Sequence, residues 1–212
     1  MKVGILGSGV VAQTLASGFL KHGHEVTIGT RSPDKLAAWA GSNPQARVAS
    51  FAEAAVSAEL GVLSVKGSAA IDVLRATGGH LDGKPVIDAT NPIADAPPVS
   101  GVLRFFTTLD ESLLERIQRE FPGVRLVKAF NSVGAACMVN PHFAAGRPTM
   151  FVCGNDASAK SVVGRILDEF GWDMADMGSP EAARAIEPLA MLWCIPGFTR
   201  NQWTHAFRLL TD

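Results

Sequence analysis

The chain has 212 residues, 47% of them hydrophobic and 18% charged, with a formal net charge of −1. That balance supports one packed domain, or one with a small appendage, and excludes a disordered chain; without a basic excess it also excludes nucleic acid and anionic membranes as partners. Cys137, Cys153 and Cys194 lack CxxC spacing and the five histidines lack ligand spacing, which points to reduced thiols in a cytoplasmic protein with no metal site.

Taken in chain order, Lys2–Leu6 is a short apolar run expected to form a buried strand, followed by a helix over Val10–Lys21. Glu25–Gly29 is the next strand, and Ser32-Pro33 opens a helix with Ser32 as a good N-cap. A short strand at Val48, a helix at Phe51–Ser57, a strand at Leu60–Val65, a helix at Ser68–Ala76 and a strand at Pro85–Asp88 continue the alternation. This rhythm predicts an α/β fold: a doubly wound, mostly parallel Rossmann-type sheet covered on both faces. Residues 89–109, rich in proline and carrying Phe105 and Phe106, read as a lid or binding loop. A helix at Asp110–Glu120, a strand at Arg125–Phe130, a turn at Asn131–Gly134, a strand at Thr149–Cys153 and a helix at Ala157–Phe170 follow. Pro180–Leu210 is expected to be helical, with its tryptophans used in packing or at an interface. The expected division is 1–130 as a nucleotide-binding core and 131–212 as a smaller part that completes the sheet and walls a cleft. Leu189–Phe198 is too short to span a bilayer, and the glycines after Leu6 interrupt what could pass for a signal sequence.

Gly7-Ser8-Gly9-Val10-Val11-Ala12 sits between the first strand and the first helix. In that context it is a dinucleotide fingerprint. The first glycine allows the tight turn, the second lets a pyrophosphate approach the backbone, and small Ala12 lets helix pack on strand. The end of the second strand reads Thr30-Arg31-Ser32, with Lys35 one turn later, where an NAD site would place a carboxylate. A planar guanidinium suits a 2′-phosphate, so the expected cofactor is NADP(H). Asp34 is expected to point away. Lys66, at the end of the fourth strand, is open between a ribose contact or proton donor and a lysine reaching into water. His142, in a loop, reads as a surface residue.

Hydride transfer to a carbonyl usually needs a proton donor. The chain contains no Tyr, which excludes a Tyr–Lys pair. An acceptor whose ring needs only alignment fits better. The segments GILGSGVVAQTLASGF, TIGTRSPDK, VIDATNP and VKAFNSVGAACMVNP, in that order, resemble the deazaflavin-dependent (factor 420) NADP oxidoreductases. Those are similar in turn to the N-terminal reductase domain of the six-transmembrane metalloreductases.

The resemblance implies that Ser8, Gly9, Val10 and Val11 hold the pyrophosphate and that Thr30, Arg31, Ser32 and Lys35 hold the 2′-phosphate. It puts Ser64, Val65 and Lys66 along the nicotinamide ribose, with Ala89, Asn91 and Pro92 also on the cofactor. Asn131, Ser132, Val133 and Ala135 would face the nicotinamide and the acceptor, and helices around Met191 would wall the acceptor cleft. Lys66 and Asn131 are the weak candidates for a chemical role. The sequence differs from the family at two acceptor-side positions, with Lys66-Gly67 in place of Pro-Trp and Asn131 in place of histidine. The expected activity is hydride transfer between NADPH and a small-molecule acceptor, a flavin or deazaflavin as co-substrate, in a homodimer. The alternatives are an imine or carbonyl reductase, or a non-catalytic NADP(H) sensor.

Overall fold

The computed structural model describes residues 1–211. Six parallel strands, β1 (Lys2–Leu6), β2 (Glu25–Gly29), β3 (Arg47–Ala49), β4 (Leu60–Leu63), β5 (Pro85–Asp88) and β6 (Arg125–Lys128), form one sheet in the order β3-β2-β1-β4-β5-β6. The order reverses between β1 and β4, and that switch point is where ligands enter sheets of this kind.

Alternation along the strands sorts the core into two layers. Val62, Ile87 and Val127 face α1 (Val10–Lys21) and α6 (Ala157–Glu169), while Leu63, Val86 and Leu126 face α3 (Phe51–Ser57), α4 (Ala70–Arg75) and α5 (Leu113–Glu120). Helix α1 buries Ala12, Leu15, Ala16 and Phe19, a stripe at helical spacing. Ser50 and Glu53 close a capping box on α3, and Ser112 and Glu115 another on α5. The first layer runs from Val3 to Trp172, so residues beyond 131 share the core of the sheet.

Several expectations are corrected. Ser32 is followed by a 3-10 turn, Pro33–Leu36, and then by the short α2 (Ala37–Ser42), and its side chain caps nothing. The helix expected from Asp110 begins at Leu113, because Ser112 supplies the cap. A strand β8 (Asp173–Asp176) pairs in parallel with β7 (Thr149–Val152) in a separate two-stranded sheet, which meets β6 through one Lys128–Cys153 bridge. The sequence Asp-Met-Ala-Asp lacks the apolar run that signals a strand.

The tail is helical only over α7 (Ala183–Arg200). Asn201 takes a left-handed conformation (φ 54°) and its N–H returns to Gly197, ending the helix. Residues 201–211 run on without regular structure as a strap. Thr149 N donates to Phe207 O at 2.9 Å, and Trp193 Nε1 to His205 O at 2.8 Å. Residues 93–106 are a hairpin rather than an open loop. Val99 and Val102 exchange two backbone hydrogen bonds around Ser100 and Gly101, both at positive φ (51° and 82°), the geometry of a two-residue hairpin turn. Among the described residues, no helix is long and apolar enough to cross a membrane.

Candidate nucleotide and acceptor site

The turn after β1 is fixed by backbone geometry. Gly7 has φ 140°, and a Cβ there would lie 2.4 Å from Ser64 O on β4's exit, so the β1–β4 junction admits only glycine. Gly9 is the opposite case: a Cβ there would meet nothing within 4 Å, leaving the approach to the α1 N-terminus open. Gly9 caps α1 without a side-chain hydrogen bond, and the first turn has no acidic residue. The end of α1 therefore presents free N–H groups and an unopposed positive dipole end.

Above this turn lies a cavity of about 530 Å³ lined by Gly7, Ser8, Gly9, Val10 and Val11 on one side and by Thr30, Arg31, Ser32 and Lys35 on another. Ser64, Val65, Lys66 and Ala89 complete the sheet edge. Ala12 is fully buried beneath the turn, in helix–strand packing. Thr30 Oγ1 accepts from Ser32 N at 3.1 Å and shapes the bend that carries Arg31. The side chains of Arg31, Lys35 and Lys66 have no ion-pair or hydrogen-bond partner among the described residues, and no carboxylate lines the cavity. Three cations without a counter-charge suit an anionic ligand. Asp34 is exposed and outside the cavity. Phe51, Ala69 and Val73 also line it, unforeseen from the sequence. The available signal was the Ser50-x-x-Glu53 box, which places Phe51 in the first turn after β3.

A second cavity, of about 490 Å³, shares Val65, Lys66 and Ala89 with the first and continues over Gly67, Ser68 and Asn91 to Ile93, Ala94, Asp95, Ala96 and Pro97. Its outer wall is the first arm of the hairpin. Met191 lies with Phe105, Thr107 and Pro188 around a separate 340 Å³ cavity. The Arg116 guanidinium lies over the Phe106 ring at 5.9 Å. His142 is exposed.

Phe130 turns the chain at φ 62°, a costly conformation for an aromatic residue, and directs Asn131 behind the cleft. Asn131 Nδ2 donates to Ile186 O (3.0 Å) and Asn91 Oδ1 (3.2 Å), while Asn91 Nδ2 donates to Asn131 O (2.7 Å). Asn131, Ser132 and Val133 are buried, Ala135 is half-buried, and none lines either cavity. Pro92 is buried too, with its carbonyl accepting from Phe106 N at 2.9 Å to anchor the hairpin. Helix α7 packs on this turn, with Trp193 so close to Gly134 that a Cβ there would lie 2.6 Å from its ring.

The sequence reading missed a buried charge cluster behind this turn. Lys128, fully buried at the end of β6, places Nζ 2.7 Å from Asp88 Oδ2, 2.9 Å from Glu187 Oε1 and 2.9 Å from Thr90 O. Asp88 Oδ1 accepts from Thr90 N and Oγ1, and the Glu187 carboxylate accepts from Leu113 N and Leu114 N at the start of α5. Burial works to lower the Lys128 pKa, and the two carboxylates outweigh it, holding the ammonium above its ordinary value. Burial pushes the neighbouring Cys153 thiol up to about 12, so it is an inert thiol at neutral pH. A lysine closing the apolar run Leu126-Val127 was the available signal.

Residues 2–92 match a family described as NADP oxidoreductase, coenzyme F420-dependent. A solved structure from Arthrobacter sp. FB24, assigned as an F420-dependent NADP-reductase, superposes with a TM-score of 0.93 at 35% identity, covering 100% of both chains. The F420-dependent NADP reductase of Methanothermobacter marburgensis is 32% identical over 151 residues, 66% of this chain and 67% of that protein. The chain belongs to the F420-dependent NADP oxidoreductase family. Metalloreductase STEAP3 of Rattus norvegicus is 31% identical over 200 residues, 92% of this chain but only 38% of the metalloreductase's length. As a member of this family the chain is an NADP-dependent oxidoreductase on a Rossmann-like fold.

Proposed function

We propose that the chain transfers hydride between NADPH in the 530 Å³ cavity and a conjugated ring acceptor, a flavin or deazaflavin, in the 490 Å³ cavity. The observation that carries this reading is the junction of the two cavities at Val65, Lys66 and Ala89. One wall there is cationic and free of carboxylates, and the other sets Ile93, Ala94, Ala96 and Pro97 beside Ser68, Asn91 and Asp95. In this reading Arg31, Ser32 and Lys35 hold the 2′-phosphate, with the Thr30 hydroxyl beside them. The free N–H groups at the start of α1 hold the pyrophosphate. When bound, the nicotinamide supplies the hydride. The hairpin arm Ile93–Pro97 excludes water and keeps the acceptor flat against the sheet edge, so catalysis comes from ring alignment. The fit of the residues to NADPH rests on the open space over Gly9 and on the three uncompensated cations.

Lys66 favours a second reading. Lys66 is exposed and lines both cavities, and in this reading its ammonium donates the proton that completes reduction of an imine or carbonyl. NADPH oxidation by the purified protein, run in parallel with a deazaflavin, with free flavin mononucleotide and with no acceptor, tests the first reading. Acceptor-dependent turnover with either ring supports it. Tight NADPH binding with neither ring reduced overturns it; turnover on a cyclic imine then selects the second reading, and no turnover at all selects a nucleotide sensor.

A further inference from the structure

Opposite Val65, Lys66, Gly67 and Ser68, the 490 Å³ cavity is lined by Ala89 and Asn91 of the turn 89–92 and by the hairpin it leads into. Both are tied to α7 from behind. The turn is held through Lys128, which bridges Thr90 O and Asp88 to Glu187, and through the Asn91–Asn131–Ile186 amide ladder one residue earlier on α7. The tip of the hairpin rests on α7 as well, with Gly101 seated so closely that a Cβ would lie 2.8 Å from Thr199 and 3.5 Å from Ile195 O. Glu187 also accepts the first two N–H groups of α5. One buried cation thus couples β5, α5 and α7. By contrast, none of its partners lies between Gly7 and Lys35.

We propose that Lys128 and Glu187 are positioning residues for the acceptor side, locking α7 and the Ala89–Pro92 turn so that the acceptor ring is held against the nicotinamide. The packing supports a fixed distance, since a fully buried ion pair with every partner in hydrogen-bond range has few alternative geometries. Burial of such a pair adds little stability over an apolar one, so its use lies in the geometry it specifies. The consequence for turnover rests on the oxidoreductase reading above; the mechanical coupling does not.

Glu187→Gln is the informative variant. It keeps the shape and leaves Lys128 neutralised by Asp88, so the chain should still fold. Backbone hydrogen exchange is expected to speed up about tenfold or more at Thr90, Leu113, Leu114 and the first turns of α7, while amides of β1 and β2 stay within about twofold. The Kd for NADPH should be unchanged. With flavin mononucleotide or a deazaflavin, whichever turns over, kcat should fall about tenfold or more at constant KM for NADPH. Lys128→Met is the second variant, expected to show the same pattern more strongly wherever it folds. Faster exchange spread evenly over the sheet, or an equal loss of NADPH affinity, would mean a purely structural role and overturn the proposal. Unchanged exchange and unchanged kcat would overturn it as well. A wild-type protein that reduces neither ring would defeat the oxidoreductase reading, while the exchange pattern would still decide the coupling.

Discussion

Around Gly7, Arg31 and Lys35 the polar groups are left without protein partners, whereas around Asp88, Lys128 and Glu187 the charged groups are paired. On the first side α1 has no side-chain cap, Ser32 caps nothing and the cations stand unpaired on a carboxylate-free wall. On the second side one ammonium contacts three oxygens within 2.9 Å, and its carboxylate partners hold the next elements in place. Exposed, unanswered groups cost little in water and are available to a ligand. Buried groups must be answered internally, and once answered they define a rigid frame. The two regions divide the work: one recognises the nucleotide and the other fixes geometry.

The largest effect that could break this contrast is on stability. Removing the cation in Lys128→Met leaves Asp88 and Glu187 buried and facing each other, at a cost of about 3–5 kcal/mol. Urea unfolding at neutral pH measures it. Adding Glu187→Gln to the same chain should recover part of the loss, because one uncompensated charge disappears. A loss under about 1 kcal/mol, the value of an exposed ion pair, would mean that the buried cluster is not a rigid frame.

On the other side the same kind of change should leave stability alone and act on the ligand. Arg31→Ala removes an exposed, unpaired side chain, so unfolding should shift by no more than about 0.5 kcal/mol. NADPH affinity should fall about 10–100-fold, the value of one charge-assisted clamp on a phosphate, with NADH scarcely affected. Equal losses for both nucleotides, read by fluorescence titration, would remove Arg31 from the 2′-phosphate.

The contrast also explains what could be read from the sequence. The phosphate turn and the strand that precedes it are local: glycine spacing, strand and helix lie within one short stretch, and Arg31 is placed by its distance from that turn. The sheet followed from alternating apolar runs, although β8, only four residues long and polar at both ends, carried no such signal. The acceptor side is built from residues distant in sequence. Lys128, Asp88 and Glu187 meet only because β6 lies beside β5 and α7 returns across both, and no local pattern encodes that meeting. The amide partners of Asn131, Asn91 and Ile186, are likewise 40 and 55 residues away. Ser32 illustrates the reverse, a local rule for capping overridden at a site where a free hydroxyl faces the cavity.

The smallest effect concerns the rim of the braced side. Glu115 in α5 pairs with Arg184 at the start of α7, with Oε1 at 2.5 Å from Nη2. The Arg184 hydrogen bonds hold its pKa at about 2, against the opposing effect of burial and with help from Ser112. A carboxyl held below its ordinary 4.5 stabilises the fold fully above that pH and loses its contribution as the pH falls toward 2. Glu115→Gln isolates this ion pair, because glutamine keeps the capping box with Ser112. Arg184 is 40% exposed, so solvent screening limits the cost to about 1 kcal/mol at neutral pH. The gap between wild type and variant should narrow as unfolding is followed from about pH 5 down to about pH 3. A gap that stays constant across that range would mean that α5 and α7 are joined at this point by packing alone, and that the buried Lys128 cluster carries the whole electrostatic tie between them.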